Sequence, residues 1–314
     1  MPSPDLSPAS RRAAAIALLA VVVIWGFNFT VSKWALRELP PLGFTAMRFG
    51  LASVLFGGML AFSDEGFQLP RGSLLRLTML GVVGNTLYQL AFILGLARTT
   101  VTNSSLLLAG MPAMVAGLGA VLGTERLSRP GRRGLLLASL GVIIVVAAKG
   151  GVGFSERTLA GDLLTLGAVF CWSLFTIGVR RLRTPLSPFA ITAWTMILGS
   201  PGLVAAGVPD LLRLDWGAVS LLAWGGVLYS VVLSLVVAYI LWNRSVRVVG
   251  TNRTAIFACM TPIVAMAVAA AVLGERPRPV QFAGAAMILG GVLLAQLGGS
   301  RGEGSGERVA VAEG

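Results

Sequence analysis

The stretch "VVVIWGFNFTVSKWAL", residues 21–36, returns in altered form as "GAVFCWSLFTIGVRRL", residues 167–182. Each is an apolar run of membrane-helix length, interrupted by a tryptophan and a few polar side chains. Lipid offers no hydrogen-bond partners, so a polar group kept inside such a run has a protein neighbour or a solute to meet. A chain that writes this pattern twice has two related halves.

The 314 residues are 55% hydrophobic and 12% charged, more apolar surface than so few charges could cover in water. Ten apolar runs are predicted as helices, at about 13–33, 43–62, 74–97, 101–122, 132–149, 160–180, 188–207, 216–243, 250–273 and 279–298. The breaks "RELPPLG", "SDEGFQLPRGS", "TERLSRPGRR" and "RTPLSP" carry the Pro, Gly and charge of turns at a membrane surface. The predicted organisation is an N-terminal segment 1–12, a first repeat 13–149, a second repeat 150–298 and a Gly-rich, disordered tail 299–314. The opening "MPSPDLSPASRR" suits a retained first span better than a cleaved signal.

Charge and absences narrow the function. The net charge of +12 is almost wholly arginine, dispersed over short connections. A nucleic-acid surface would gather those charges on one face, so no nucleic-acid partner is expected. The bias of Lys and Arg between alternate connections is two to one and places both termini in the cytoplasm. Cys171 and Cys259 lie in apolar runs and read as small core residues. There is no histidine and no GxxxxGK[ST], which excludes His-based metal sites and argues against ATP-driven transport by this chain alone. No cofactor is expected.

Laid over each other, the halves pair Trp25 with Trp172, Pro41 with Pro188, Asn103 with Asn252, Pro112 with Pro262, Glu125 with Glu275 and Gly141 with Gly291, at offsets of 147 to 151. Five spans per half is an odd number, so the second copy enters the membrane from the opposite side. The predicted fold is all-α: two five-helix inverted-topology repeats around a central cavity, built from helices 1, 3, 4 and 6, 8, 9.

Those residues carry a family resemblance. "WGFNFTVSKWALRELPPLGFTAMRF", "NSSLLLAGMPAMVAGLGAVLGTERLSRPGRRGLLLASLGVIIV" and its second-half counterpart "NRTAIFACMTPIVAMAVAAAVLGERPRPVQFAGAAMILGGVLL" are similar to the drug/metabolite transporter superfamily, in its ten-helix EamA-like branch. The resemblance spans residues 13 to 298. It implies a secondary transporter in the bacterial inner membrane that exports amino acids or related metabolites by alternating access.

The residues themselves offer candidate sites. Helix 3 places Asn85, Tyr88, Gln89 and Phe92 on one face. Interhelical glue and cavity lining are both open readings. Ser230 and Ser234 put polarity at matching depth on helix 8. Helix 1 carries Trp25, Asn28 and Ser32 on a stripe, and helix 6 answers with Trp172 and Thr176. A tryptophan well inside a span serves either packing or an aromatic wall, with Tyr88 and Phe257 as further candidates. Pro112 and Pro262, in mid-helix, each remove a backbone hydrogen bond and free a carbonyl, which either holds a cation or ammonium where the helix borders a cavity or merely accompanies a kink needed for packing.

Glu125 and Glu275, beside arginines at span ends, read as surface ion pairs. Arg48 and Lys33 read as snorkelling to the interface, with attraction of a substrate carboxylate as the alternative. Gly119 and Gly123 form a GxxxG that packs helices or marks a dimer face, a monomer being favoured.

No Asp or Glu falls mid-membrane, and the predicted core is neutral, polar and aromatic. That suits small neutral or zwitterionic solutes, foremost amino acids with an aromatic or hydrophobic preference. Efflux of amphiphilic drugs is the alternative. A membrane enzyme on lipid-linked substrates is disfavoured, since no acidic pair or nucleophile constellation is visible. Proton coupling would fall to Asp162, Glu125 or Glu275; otherwise transport is facilitated diffusion.

Overall fold

The computed structural model describes residues 8–123, 127–147, 156–182, 184–249, 254 and 257–310. Ten helices cross or line the bundle among them. Eight are long and apolar enough to span a membrane: α1 (Arg12–Ala35), α2 (Pro41–Ala61), α3 (Ser73–Arg98), α4 (Val101–Val121), α5 (Arg129–Ala147), α6 (Glu156–Arg181), α7 (Pro188–Arg213) and α8 (Leu221–Ser245). Two shorter apolar helices follow, α9 (Thr261–Leu273) and α10 (Pro279–Ala295). Their outward faces are greasy. Ile16, Val54, Leu75 and Leu136 are all exposed, which is tolerable only where lipid is the solvent.

Local chemistry sets the helix ends. Pro41 and Pro188 occupy the first helical position, where the missing N–H costs nothing. Thr100, Ser187 and Ser220 cap α4, α7 and α8 by accepting from the N–H groups of Asn103, Ala190 and Ala223. Gly123 and Gly274 follow α4 and α9 with φ of +65° and +69°, a left-handed ending that favours glycine. α7 runs to Arg213 through Pro201 and Pro209, past the predicted end, and α8 starts at Leu221 after a 3₁₀ turn at Trp216–Ala218. The backbone of the last helix stays helical to Ala310, through a segment whose sequence predicts none.

The two halves meet about a pseudo-two-fold axis that can be located residue by residue. Ser53 Oγ donates to Ser200 Oγ at 2.5 Å, and the two are 147 positions apart, the offset that relates Trp25 to Trp172. Ser53 also reaches the Met196 carbonyl and Ser200 the Phe49 carbonyl, each at 3.3 Å. These two bonds map onto each other under the repeat. Equivalent residues can touch only where the axis passes, so it runs between α2 and α7.

A second such crossing joins α5 to α10. A Cβ on Gly134 would lie 2.5 Å from the Gly291 carbonyl, and one on Gly141 would lie 2.8 Å from that of Gly284. Backbones this close leave no room for a side chain.

Between these crossings each half lends its third helix to the other. α3 packs on α6 and α7, and α8 packs on α1 and α2. Each third helix contains a π-helical stretch, Val82–Leu87 in α3 and Tyr229–Val237 in α8. Sequence periodicity gives no hint of either.

Candidate functional site

The polar stripes predicted on α1 and α3 lie where the halves are laced together. Ser230 Oγ donates to Asn28 Oδ1 at 2.9 Å, and Trp25 Nε1 donates to the Ser234 carbonyl at 3.1 Å. Tyr229 Oη donates to the Ile24 carbonyl at 2.9 Å. All three bonds join α1 to the π-stretch of α8. In the other half, Asn85 Nδ2 donates to the Thr195 carbonyl at 2.9 Å and Thr86 Oγ1 to that of Gly199 at 2.6 Å. They join the π-stretch of α3 to α7. Four of these five bonds are donated by side chains of the π-stretches to a neighbouring helix, and only Trp25 donates to a π-stretch carbonyl.

The Asn85 donor is thereby engaged between helices. Asn85→Leu should lower stability by about 1–2 kcal/mol, one buried bond with its acceptor left bare. Thermal unfolding in detergent checks this, and an unchanged melting temperature would show the tie to be idle.

The aromatic residues form two clusters, one for each tryptophan of the repeat. Trp172 lies 4.8 Å from Tyr88 and 5.0 Å from Phe175. Tyr88 stacks on Phe92 at 6.1 Å, and Phe92 meets Phe29 edge-on at 5.7 Å. On the other side Trp25 packs against Trp242 at 5.2 Å and Tyr239 at 6.1 Å. Tyr88 and Tyr239 are surrounded by protein yet stay partly accessible, as side chains bordering an internal space do.

Tyr239 and Trp242 were absent from the predicted site, although their i, i+3 spacing puts them on one helix face. Thr176 is half-buried and its hydroxyl donates to the Trp172 carbonyl at 2.8 Å. Phe257 is half-buried before α9, and its carbonyl accepts the Met260 N–H at 2.9 Å.

Pro112 and Pro262 do not kink continuous helices. α4 is split into Val101–Ala109 and Met111–Val121 at Gly110, and Pro112 opens the second segment. α9 likewise restarts at Thr261 with Pro262 in its first turn. Pro is at home there, and the break falls at the same place in both halves.

Two cations expected to snorkel do not. Lys33 Nζ donates to the carbonyls of Leu96 and Thr99 at 2.5 and 2.6 Å, at the end of α3. Arg48 is 2% exposed. The core is therefore not neutral: it holds a buried guanidinium.

Around Lys33, on the side where α1 ends (the far side), a polar network joins both halves. Asp162 accepts from Thr99 Oγ1 at 2.5 Å and Asn103 Nδ2 at 3.1 Å, and Gln281 Nε2 donates to Asn103 Oδ1 at 2.6 Å. Glu275, expected in a surface ion pair, accepts instead from the N–H groups of Val101 and Thr102 at 2.8 and 3.0 Å and from Thr102 Oγ1 at 2.7 Å. A carboxylate at a helix N-terminus meets unpaired donors and the positive end of the dipole. Its counterpart Glu125 lies outside the described residues.

On the same side the exposed Glu38 carboxylate accepts from Ser220 N and Oγ, both at 2.8 Å, and these donors hold it below the usual carboxylate range. Among the described residues no group of three or more Cys, Asp or Glu is placed to hold a metal ion.

Comparison with known proteins bears on this arrangement. The EamA-like transporter family matches residues 12–147 and 159–297, one match per half. The "Uncharacterized transporter YyaM" of Bacillus subtilis is 26% identical over 285 residues, covering 89% of this chain and 92% of its own. A Salmonella typhimurium protein named "Probable amino-acid metabolite efflux pump" is 28% identical over 301 residues, covering 91% of this chain and 95% of its own. One solved structure superposes with a TM-score of 0.63 at 18% identity, over 92% of this chain and 98% of that one, a likeness of fold.

Proposed function

Since the chain belongs to the EamA-like transporter family, we propose that it exports amino acids with aromatic or hydrophobic side chains by alternating access between its two halves. The observation that carries this reading is the pair of aromatic clusters, Tyr88–Trp172 and Tyr239–Trp25, each built across the two halves. Rings so placed can stack on a flat or greasy side chain, while nearby amides and carbonyls hold the amino-acid backbone. The similar Salmonella protein, named for amino-acid metabolite efflux, supports the same substrate class. On this reading the protein works as a monomer in the bacterial inner membrane with both termini in the cytoplasm, and the far side is the outer side.

The test is a panel of radiolabelled amino acids in proteoliposomes, with and without a pH gradient. Uptake of none of them, with uptake of amphiphilic drugs instead, would replace the amino-acid reading by drug efflux. Within the panel, Tyr88→Ala and Trp172→Ala should weaken phenylalanine more than alanine, by about 0.5–1.5 kcal/mol or about two- to twelve-fold in apparent affinity. An unaltered phenylalanine-to-alanine preference in both variants would make those rings packing residues only.

A further inference from the structure

Arg48 is the largest fully buried side chain among the described residues. It sits on α2, seven residues in from Pro41, about 10 Å along the helix at 1.5 Å per residue. Its guanidinium lies 5.1 Å from the centre of the Phe44 ring and 6.0 Å from that of Phe49. Ring faces offset part of the cost of burying a cation. They do not satisfy its donors, and Nε and Nη1 are buried without any hydrogen-bond partner. A guanidinium buried for structure alone is normally met by a carboxylate or by carbonyls.

The surroundings show where the missing partner would lie. Tyr88 and Tyr239, one from each aromatic cluster, are among the side chains near enough to Arg48 to interact with it electrostatically. Phe44 and Ile93 share one buried cluster, and Phe49 and Tyr239 pack in another. α2 and α3 run antiparallel, so one turn inward from the Phe44–Ile93 contact brings Arg48 level with Gln89. Gln89 Oε1 is itself buried without a partner. The antiparallel register thus brings a donor fork and a bare acceptor to about one level, the fork beside the two tyrosines.

We propose that Arg48 binds the carboxylate of the transported solute, with Gln89 Oε1 accepting from that solute's ammonium group. The ammonium half rests on the amino-acid reading above; the carboxylate half does not. A planar fork of donors suits a carboxylate bidentately.

The full-length protein in proteoliposomes tests this by competition against labelled phenylalanine. The competitors are 3-phenylpropionate, which keeps the carboxylate, and phenethylamine, which keeps the ammonium. Arg48→Gln should raise the inhibitory concentration of 3-phenylpropionate at least ten-fold and leave phenethylamine within about two-fold. Arg48→Lys, which keeps the charge but loses the fork, should fall between. A wild-type ratio of the two competitors in folded Arg48→Gln would overturn the proposal and leave Arg48 a packing residue.

Should Arg48→Gln not fold, Arg48→Lys carries the test alone, and an unshifted ratio overturns the proposal equally. If phenylalanine is not transported at all, the amino-acid reading fails. The carboxylate site then stands or falls on whether 3-phenylpropionate raises the melting temperature of the wild type and not of the Arg48 variant.

Discussion

Gly291→Ala will fail to accumulate as a folded protein, whereas Gly290→Ala, one residue away, will behave as wild type. A single methyl group separates the two outcomes. At Gly291 the new Cβ would lie 2.4 Å from the Ala138 nitrogen and 2.6 Å from the Gly134 carbonyl; at Gly290 the nearest atom is a flexible Leu137 Cδ2 at 3.9 Å. Overpacking against side chains costs about 1–3 kcal/mol. Here the obstacle is backbone, so α5 and α10 must separate along their length, and the cost exceeds that range. Size-exclusion profiles and melting curves in detergent decide the matter. A monodisperse Gly291→Ala with wild-type melting would show that the crossing is looser than the distances state.

Asp162→Ala should shift the protein towards a state open on the far side. The carboxylate holds Thr99 and Asn103 at the start of α4 to the start of α6. Bonds to a charged acceptor are worth about 1.5–3 kcal/mol each, and the substitution also strands their donors. A loss of about 2–3 kcal/mol from the closed state changes the population ratio about thirty- to a hundred-and-fifty-fold. Spin labels at Arg37 and Arg157, both exposed on that side, would report it. A longer distance should become the main population in Asp162→Ala after Cys171 and Cys259 are replaced, with Asp162→Asn intermediate. Wild-type distances in Asp162→Ala would show that the network does not hold the far side shut. Glu38→Ala, which removes only an exposed tie, should leave the distances unchanged.

The architecture was largely legible in the sequence, because a repeat in a lipid-facing chain leaves marks that few other patterns imitate. Paired tryptophans, prolines and glycines at nearly constant offset carry topology as well as homology. The site was less legible, for reasons that differ by residue. The π-stretches have no compositional signature, since they differ from an α-helix by one residue in a turn. Glu275 caps a helix 174 positions away, and neither partner shows locally that it needs the other.

Arg48 was read as snorkelling, and its burial at 2% exposure runs against that reading. Snorkelling needs an open path along the helix, and Phe44, one turn towards the far side, is itself 0% exposed.

The two-fold axis between Ser53 and Ser200 sorts the protein into a stationary frame and moving parts. Suppose the two end states of transport exchange the roles of the halves, as inverted repeats allow. Any contact that the exchange maps onto itself must then survive the cycle unaltered, and any other must be broken and remade as its mirror image. The Ser53–Ser200 bond and the paired crossings Gly134–Gly291 and Gly141–Gly284 belong to the first kind. So α2, α5, α7 and α10 act as a chassis, and their close glycine contacts are a requirement of not moving. The Glu275 tie to Thr102 belongs to the second kind. A tie that must let go on one face before its mirror image can form on the other works as an escapement does, in which the two faces are never released together.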